Sequence, residues 1–199
     1  MLTDIGVVLI AYLIGSIPFG FLFAKCIKGI DIRLYGSHGI GATNVLRTLG
    51  KGAALLTFLG DTGKGVVALS LAKSFSSSEE WVVAAALAAL IGHCYPIFLN
   101  FQGGKGVATG LGVVLILTPQ IGLIALGIWG GCCLLLRYVS LSSLVATCSI
   151  PFLVLLLSPG KALFLFSLCA ALLISYRHHE NIRRLLAGTE PKIGQKLQI

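Results

Sequence analysis

Five stretches of this chain, 5–24, 81–104, 106–136, 138–160 and 162–176, contain no Asp, Glu, Lys or Arg. A helix needs about 20 mostly apolar residues to cross a bilayer. A further apolar segment, 52–72, is interrupted only by Asp61 and Lys64, so little of the chain remains for a soluble domain. Hydrophobic residues make up 56%, charged residues only 11%, and the mean hydropathy is +0.96. An ordinary soluble domain carries roughly 25% charged residues. A soluble globule of 199 residues has too much surface to cover with so few. A soluble enzyme, a disordered chain and a disulfide-rich secreted module are therefore excluded. The fold class is all-α: a polytopic helical bundle forming one integral-membrane domain over 1–199.

The 106–136 stretch is long for one span and short for two, with Pro119 in its middle. Two short spans, 106–118 and 120–136, bring the total to about seven. A five-span version with re-entrant segments leaves both termini on the same sides. In the seven-span map, one side holds 25–51, 101–105, 137–140 and the tail 177–199. These segments carry 12 Lys and Arg, including Arg47, Lys105, Arg137, Arg177, Arg184, Lys192 and Lys196. The opposite side carries Lys73 and Lys161. The positive-inside rule makes the basic side cytoplasmic, with the N-terminus outside and the C-terminus inside. The net charge of +8 then reflects basic cytoplasmic loops and contact with anionic membrane lipid, not nucleic acid. The six cysteines form no CxxC pair and have no zinc-ligand spacing with histidine, so neither disulfide nor metal is expected. The N-terminus lacks a basic n-region and a small-residue cleavage site, so 5–24 is expected to stay as the first span.

Four constellations carry chemistry. In 36–47, Gly36, Gly39 and Gly41 with Ser37 and Thr43 lead into a short helical run at 45–49 that Gly50 ends. A glycine-rich turn feeding a helix presents backbone N–H groups and a positive dipole end, which suit an anion. Arg47 can fork onto two phosphate oxygens. In 103–109, Gly103, Gly104, Lys105 and Gly106 open an apolar helix without the full nucleotide-loop spacing. A simple phosphate nest fits them. In the tail, His178 and Asn181 share a helical face beside an apolar stripe of Ile182 and Leu185. That segment also reads as an amphipathic helix on anionic lipid. Asp61 and Lys64, three residues apart inside an apolar segment, are either an internal ion pair or part of a substrate pathway. His93 reads as a buried hydrogen-bonding histidine. Ser140, Ser142 and Ser143 sit where they cap a helix or touch a head group. Two anion loops, an arginine, a lysine and a His/Asn pair on one membrane face describe a site for two phosphate-bearing molecules. No H-x-x-x-x-D is present, nor is the D-x-x-D-G-x-x-A-R pattern of CDP-alcohol phosphotransferases.

Five motifs carry a resemblance. G-S-x-x-x-G-A-T-N-V-L-R (36–47), D-x-x-K-G (61–65), G-H-x-x-P-x-F-L-x-F-x-G-G-K-G-V-A-T (92–109), Y-V-S-L-S-S (138–143) and H-x-E-N-I-x-R-L-x-x-G-x-E-x-K (178–192) occur in this order. In order and spacing they resemble the bacterial acyl-phosphate:glycerol-3-phosphate acyltransferases, the PlsY family. The resemblance covers nearly the whole chain. It implies transfer of a fatty acyl group from acyl phosphate to the 1-hydroxyl of glycerol 3-phosphate, the first step of phospholipid synthesis in many bacteria. The products are lysophosphatidate and phosphate, no cofactor is used, and the site faces the cytoplasm from the inner membrane. Carried over, the catalytic set is Ser37, Arg47, Lys105, His178 and Asn181. Substrate contacts fall to Gly36, Gly41, Thr43, Asn44, Gly103, Gly104, Gly106 and Ser142. Asp61, Lys64 and Glu180 take structural roles. Where the family has Gly-Asn, this chain has His38-Gly39. An acyl phosphate already contains a good leaving group, so positioning and charge stabilisation suffice. The proton of the attacking hydroxyl goes to an acyl-phosphate oxygen, with His178 as the competing base. A small organophosphate or anion transporter using Asp61 and Lys64 is the reading from a different class.

Overall fold

The computed structural model describes residues 1–195; Lys196, one of the basic tail residues, lies outside the described residues. The described residues form ten α-helices: α1 (Leu2–Ser16), α2 (Phe19–Lys28), α3 (Ala42–Leu49), α4 (Lys51–Phe75), α5 (Glu79–Cys94), α6 (Val107–Leu117), α7 (Pro119–Leu136), α8 (Val139–Leu157), α9 (Lys161–Arg177) and α10 (His179–Leu186). Short 3-10 turns occupy Ile32–Leu34 and Ile97–Leu99, and no strand occurs among the described residues.

Prolines set the main breaks. A residue before proline avoids the helical region. Ile17, ahead of Pro18, is extended, which divides the single span expected at 5–24 into α1 and α2. Thr118, at φ −148° and ψ 87°, is also non-helical ahead of Pro119, which opens α7. The 106–136 stretch therefore forms two helices, as Pro119 led us to expect. Each break releases a backbone carbonyl that lipid cannot satisfy. Two lysines of α4 take them up: Lys64 Nζ donates to Ile17 O at 2.7 Å and Lys73 Nζ to Ile116 O at 2.6 Å.

Five elements are long and apolar enough to cross a bilayer: α1 with α2, α4, Glu79–Leu99, α7 and α8. α9 passes only when α10 is counted with it across a 63° bend, which brings the number to at most six. α6 has 11 residues. That is roughly 16 Å of helix, about half the hydrocarbon thickness. The count of about seven is reached only by including α6.

Helices lacking a hydrophobic drive between them associate through small residues that let backbones approach. Gly15 lies on the backbone of Ala89 and Gly92 on that of Tyr12 and Ser16, which joins α1 to α5. Gly65 against Thr109 and Gly112 against Thr62 join α4 to α6 in the same way. The main core gathers around Leu69, Leu90, Val113 and Phe166. A second apolar cluster, Ile32, Ile40, Val45 and Leu99, sits beneath the loop that precedes α3 and gives that loop a floor.

Candidate active site

The loop ahead of α3 is built around one amide. Asn44 is 2% exposed, and its Oδ1 accepts the backbone N–H of Ser37 at 2.8 Å. Its Nδ2 donates to Ile32 O, Tyr35 O and Gly39 O at 3.2, 3.0 and 2.8 Å. The whole turn from 32 to 39 therefore hangs on the first turn of α3. Gly36 has φ +60°, and a Cβ there would collide with the Asn44 amide oxygen. His38 also lies in the left-handed region, at φ 57°. That conformation costs an ordinary side chain about 1–2 kcal/mol, a physical reason for a glycine at this position. The His38 imidazole compensates locally: its Nδ1–H donates to Arg33 O at 2.9 Å. Gly41 caps α3 in an extended conformation. The first N–H groups of the helix, at Ala42 and Thr43, thus have no intrahelical acceptor.

The second loop is held from two sides. Gly104 N–H donates to His93 O at 3.0 Å, and a Cβ at Gly104 would strike the His93 imidazole. Arg177, at the end of α9, donates Nε to Gly104 O at 3.1 Å and Nη2 to Gly103 O at 3.0 Å. Gly106, at φ +88°, turns the chain into α6. Lys105 is left projecting from this turn, and its Nζ donates to Asn181 Oδ1 at 2.5 Å.

Asn181 belongs to α10, which starts after a kink at His178. Its Nδ2 donates to Glu190 Oε1 at 2.7 Å. Glu190 is buried and also accepts from Ser140 Oγ at 2.6 Å and Arg184 Nε at 2.7 Å. Beyond it, Pro191 O accepts from Arg47 Nη2 at 3.4 Å, which brings α3 to the same place. Ile193 exchanges hydrogen bonds with Arg137, its N–H donating to Arg137 O at 2.8 Å. The tail is thus strapped across the ends of α3, α8 and α10. His178 is 3% exposed, and its Nδ1 lies 2.8 Å from Ile174 O. A carbonyl only accepts, so Nδ1 carries the proton and Nε2 keeps a free lone pair.

The charges do not balance. Arg47, Lys105 and Arg184 face the Glu190 carboxylate, with Glu180 further out. Burial, reinforced by Arg184, lowers Lys105 to about 8. Arg47 is also lowered by burial, with Glu190 opposing, and stays cationic. Burial pushes Glu190 up, but hydrogen bonds from Ser140, Asn181 and Arg184 outweigh it and hold the group below its usual range. His178 is lowered to about 4 by burial, against the backbone bond to Ile174, so it is neutral at pH 7. Three cations, one carboxylate and a neutral imidazole acceptor make a polar nest with room for added negative charge.

Of the residues expected at the site, the structure joins Lys105, Asn181 and, through Pro191, Arg47; His178 opens the same short helix. Ser37, Gly36, Gly41, Thr43 and Asn44 form the separate, Asn44-tied loop, whose link to the rest runs through Arg47. Ser142 and Ser143 donate to the carbonyls four residues back, at 2.8 Å each, and Tyr138 is the cap residue of α8 instead. Asp61 and Lys64 form a buried ion pair at 2.8 Å, and Lys64 is also bonded to Ile17 O. The pair thus closes on the bundle's own backbone, the internal ion pair of the two expected alternatives. His93 is buried as expected, 3.1 Å from Thr109 Oγ1 and 3.6 Å from Asp61. Glu180 is exposed, 4.0 Å from Arg184. The acid that organises the site is Glu190, which the sequence offers only as a letter of the 178–192 motif; Arg177 and Arg184 read there as basic-side residues and Ser140 as a cap or head-group contact, none of them as a site residue. The available signal was Glu190 itself, one of two acids within a basic tail.

The family model described as glycerol-3-phosphate acyltransferase matches residues 5–188. The glycerol-3-phosphate acyltransferase of Parasynechococcus marenigrum (strain WH8102) is 48% identical over 196 residues, 98% of this chain and 92% of that protein. That of Geotalea daltonii (strain DSM 22248 / JCM 15807 / FRC-32) is 47% identical over 190 residues, 96% and 97% of the two chains. Among solved structures, PlsY (YgiH), an integral membrane glycerol 3-phosphate acyltransferase, superposes in its glycerol 3-phosphate form with a TM-score of 0.91 at 43% identity, over 96% of each chain. Its lysophosphatidic acid form superposes with a TM-score of 0.89 at 42% identity, over 96% of this chain and 95% of that one.

Proposed function

The chain belongs to the glycerol-3-phosphate acyltransferase family, and on that premise we propose how its own residues divide the work. The enzyme is an integral-membrane glycerol-3-phosphate acyltransferase of phospholipid synthesis. Its donor is an acyl phosphate, and the acceptor is the 1-hydroxyl of glycerol 3-phosphate. The site lies on the cytoplasmic face of the bacterial inner membrane.

Lys105 and the N–H groups of its turn hold the phosphate of glycerol 3-phosphate. Arg47 and the open start of α3, with Ser37 and Thr43, hold the phosphate of the donor. Asn44 acts at one remove, keeping the Ser37 turn in shape. His178 Nε2 and Asn181 orient the acceptor. The hydroxyl oxygen attacks the acyl carbon, a new ester C–O bond forms, and the acyl C–O bond to phosphorus breaks. Phosphate leaves with the electron pair of that bond. The hydroxyl proton passes to a phosphate oxygen, and lysophosphatidate is released.

The observation that carries this reading is the Lys105–Asn181–Glu190 chain beside a neutral, weakly basic His178. A nest with surplus positive charge and no strong base suits a reaction whose leaving group needs no activation. Purified protein in detergent, given acyl phosphate and glycerol 3-phosphate, is expected to release inorganic phosphate and lysophosphatidate. Acyl-CoA in place of acyl phosphate is expected to give neither. Absence of phosphate release from well-folded protein would overturn the assignment, since no transport is measurable in detergent.

A further inference from the structure

Arg177 reads in the sequence as one more basic residue at a membrane edge, yet its guanidinium is spent inside the protein. It donates to Gly104 O and Gly103 O through two different nitrogens. Its carbon lies 5.1 Å from the centroid of the Tyr95 ring, a stacking distance for a guanidinium. Tyr95 is in turn fixed from α1, because Tyr12 Oη donates to its carbonyl at 2.9 Å. Arg177 is therefore held on one side by a ring and on the other grips two consecutive carbonyls.

That grip determines where the loop's donors point. In a trans peptide the C=O and the following N–H are antiparallel. Gly103 O faces Arg177, so the N–H of Gly104 faces the opposite way, where it meets His93 O. Gly104 O faces Arg177 as well, so the N–H of Lys105 is turned away from the arginine. Two residues on, α6 opens with N–H groups that have no intrahelical acceptor either. Without the clamp the Gly104–Lys105 peptide loses the partner of its carbonyl, and the glycine at 104 leaves that peptide free to flip. Lysine offers one compact charge and cannot span both carbonyls in this fixed way. The next residue in the chain is His178, and α10 carries Asn181, the partner of Lys105. One side chain thus fastens the loop bearing Lys105 to the helix end bearing His178 and Asn181.

We infer that Arg177 is a positioning residue for the glycerol 3-phosphate side of the reaction, clamping the Gly103 and Gly104 carbonyls so that the Lys105 peptide N–H faces the substrate phosphate. This rests on the reading above, that the loop holds the acceptor's phosphate.

The test is steady-state kinetics on purified protein with both substrates varied. Arg177→Gln is expected to raise KM for glycerol 3-phosphate about tenfold or more, as when a charge-assisted contact is lost. KM for acyl phosphate should stay within about twofold. Arg177→Lys should fall on the Gln side, because the clamp needs a fork. Millimolar guanidinium added to Arg177→Ala should restore part of the affinity for glycerol 3-phosphate. A Tyr95→Leu variant removes only the ring beneath the guanidinium and should move the same KM in the same direction, to a smaller extent. It serves as the deciding variant where the Arg177 variants do not accumulate. Equal loss for both substrates, an unchanged glycerol 3-phosphate KM, or full function in Arg177→Lys would overturn the inference. If wild-type protein releases no phosphate, the failure lies instead with the assigned reaction.

Discussion

At the scale of single residues, the pH dependence separates the two routes for the proton. Lys105 titrates at about 8, lowered chiefly by burial, so its charge is present below that pH and lost above it. The kcat/KM for glycerol 3-phosphate is therefore expected to fall as pH rises through about 8. Bound phosphate favours the charged lysine, so the corresponding limb in kcat should lie at higher pH. His178, at about 4, is already neutral at pH 7 and stays so on further alkalinisation. If it only accepts a hydrogen bond, His178→Gln should keep measurable turnover. Any acid limb from the substrate's own phosphate, near pH 6, should then appear in wild type and variant alike. A loss of about a hundredfold or more with unchanged glycerol 3-phosphate KM, together with an acid limb confined to wild type, would make His178 the base. Such a poorly basic imidazole argues against that outcome, because a general base works best with a pKa near the working pH.

At the scale of one element, the loop from 32 to 41 is a backbone turn wound on the Asn44 side chain. Sequence reading placed Asn44 against substrate, whereas in the structure its oxygen and nitrogen are committed to four backbone groups of the loop. Asn44→Ala leaves those groups to find other partners, at about 1–3 kcal/mol for each buried one that does not. The expected outcome is a clear drop in thermal midpoint in detergent along with lost activity. Asn44→Asp keeps the acceptor for Ser37 N–H but sets a carboxylate against three carbonyls, so it should rescue neither. Lost activity at an unchanged thermal midpoint would return Asn44 to the role of a substrate ligand. The same element shows why position 38 suits glycine: His38→Gly removes a left-handed side chain and the imidazole contact to Arg33 together.

At the scale of the whole molecule, the site exists because segments far apart in the chain end on one side of the bundle. Arg47, Lys105, Ser140 and the tail that carries Asn181, Glu190 and Pro191 come from four separate segments and meet through hydrogen bonds. The basic residues of those segments are what should keep them in the cytoplasm. His38→Cys and Gly188→Cys, each in a background without native cysteines, are expected to react with a membrane-impermeant thiol reagent only from the cytoplasmic side. Labelling of either from outside would invert or break the arrangement. Both positions suit the measurement, because residues 38 and 188 are exposed.

What the sequence determined alone was whatever depends on local composition and short spacing. Charge-free runs of membrane length dictate helices, Pro119 dictates a break, and a glycine turn ahead of a helix dictates open N–H groups. The order of five motifs placed the chain in its family before any contact was known. Tertiary structure decided which of many polar residues act together, since that depends on distances between segments that no local pattern encodes. Arg177 and Arg184 look like their basic neighbours until one is seen gripping two glycine carbonyls and the other a buried carboxylate. Glu190 and Glu180 are both acids of one tail, yet one is buried among three donors and the other faces out. The physical reason is the same in each case. A buried polar group must be paired, and its partner is chosen by how the helices pack rather than by where it lies in the chain.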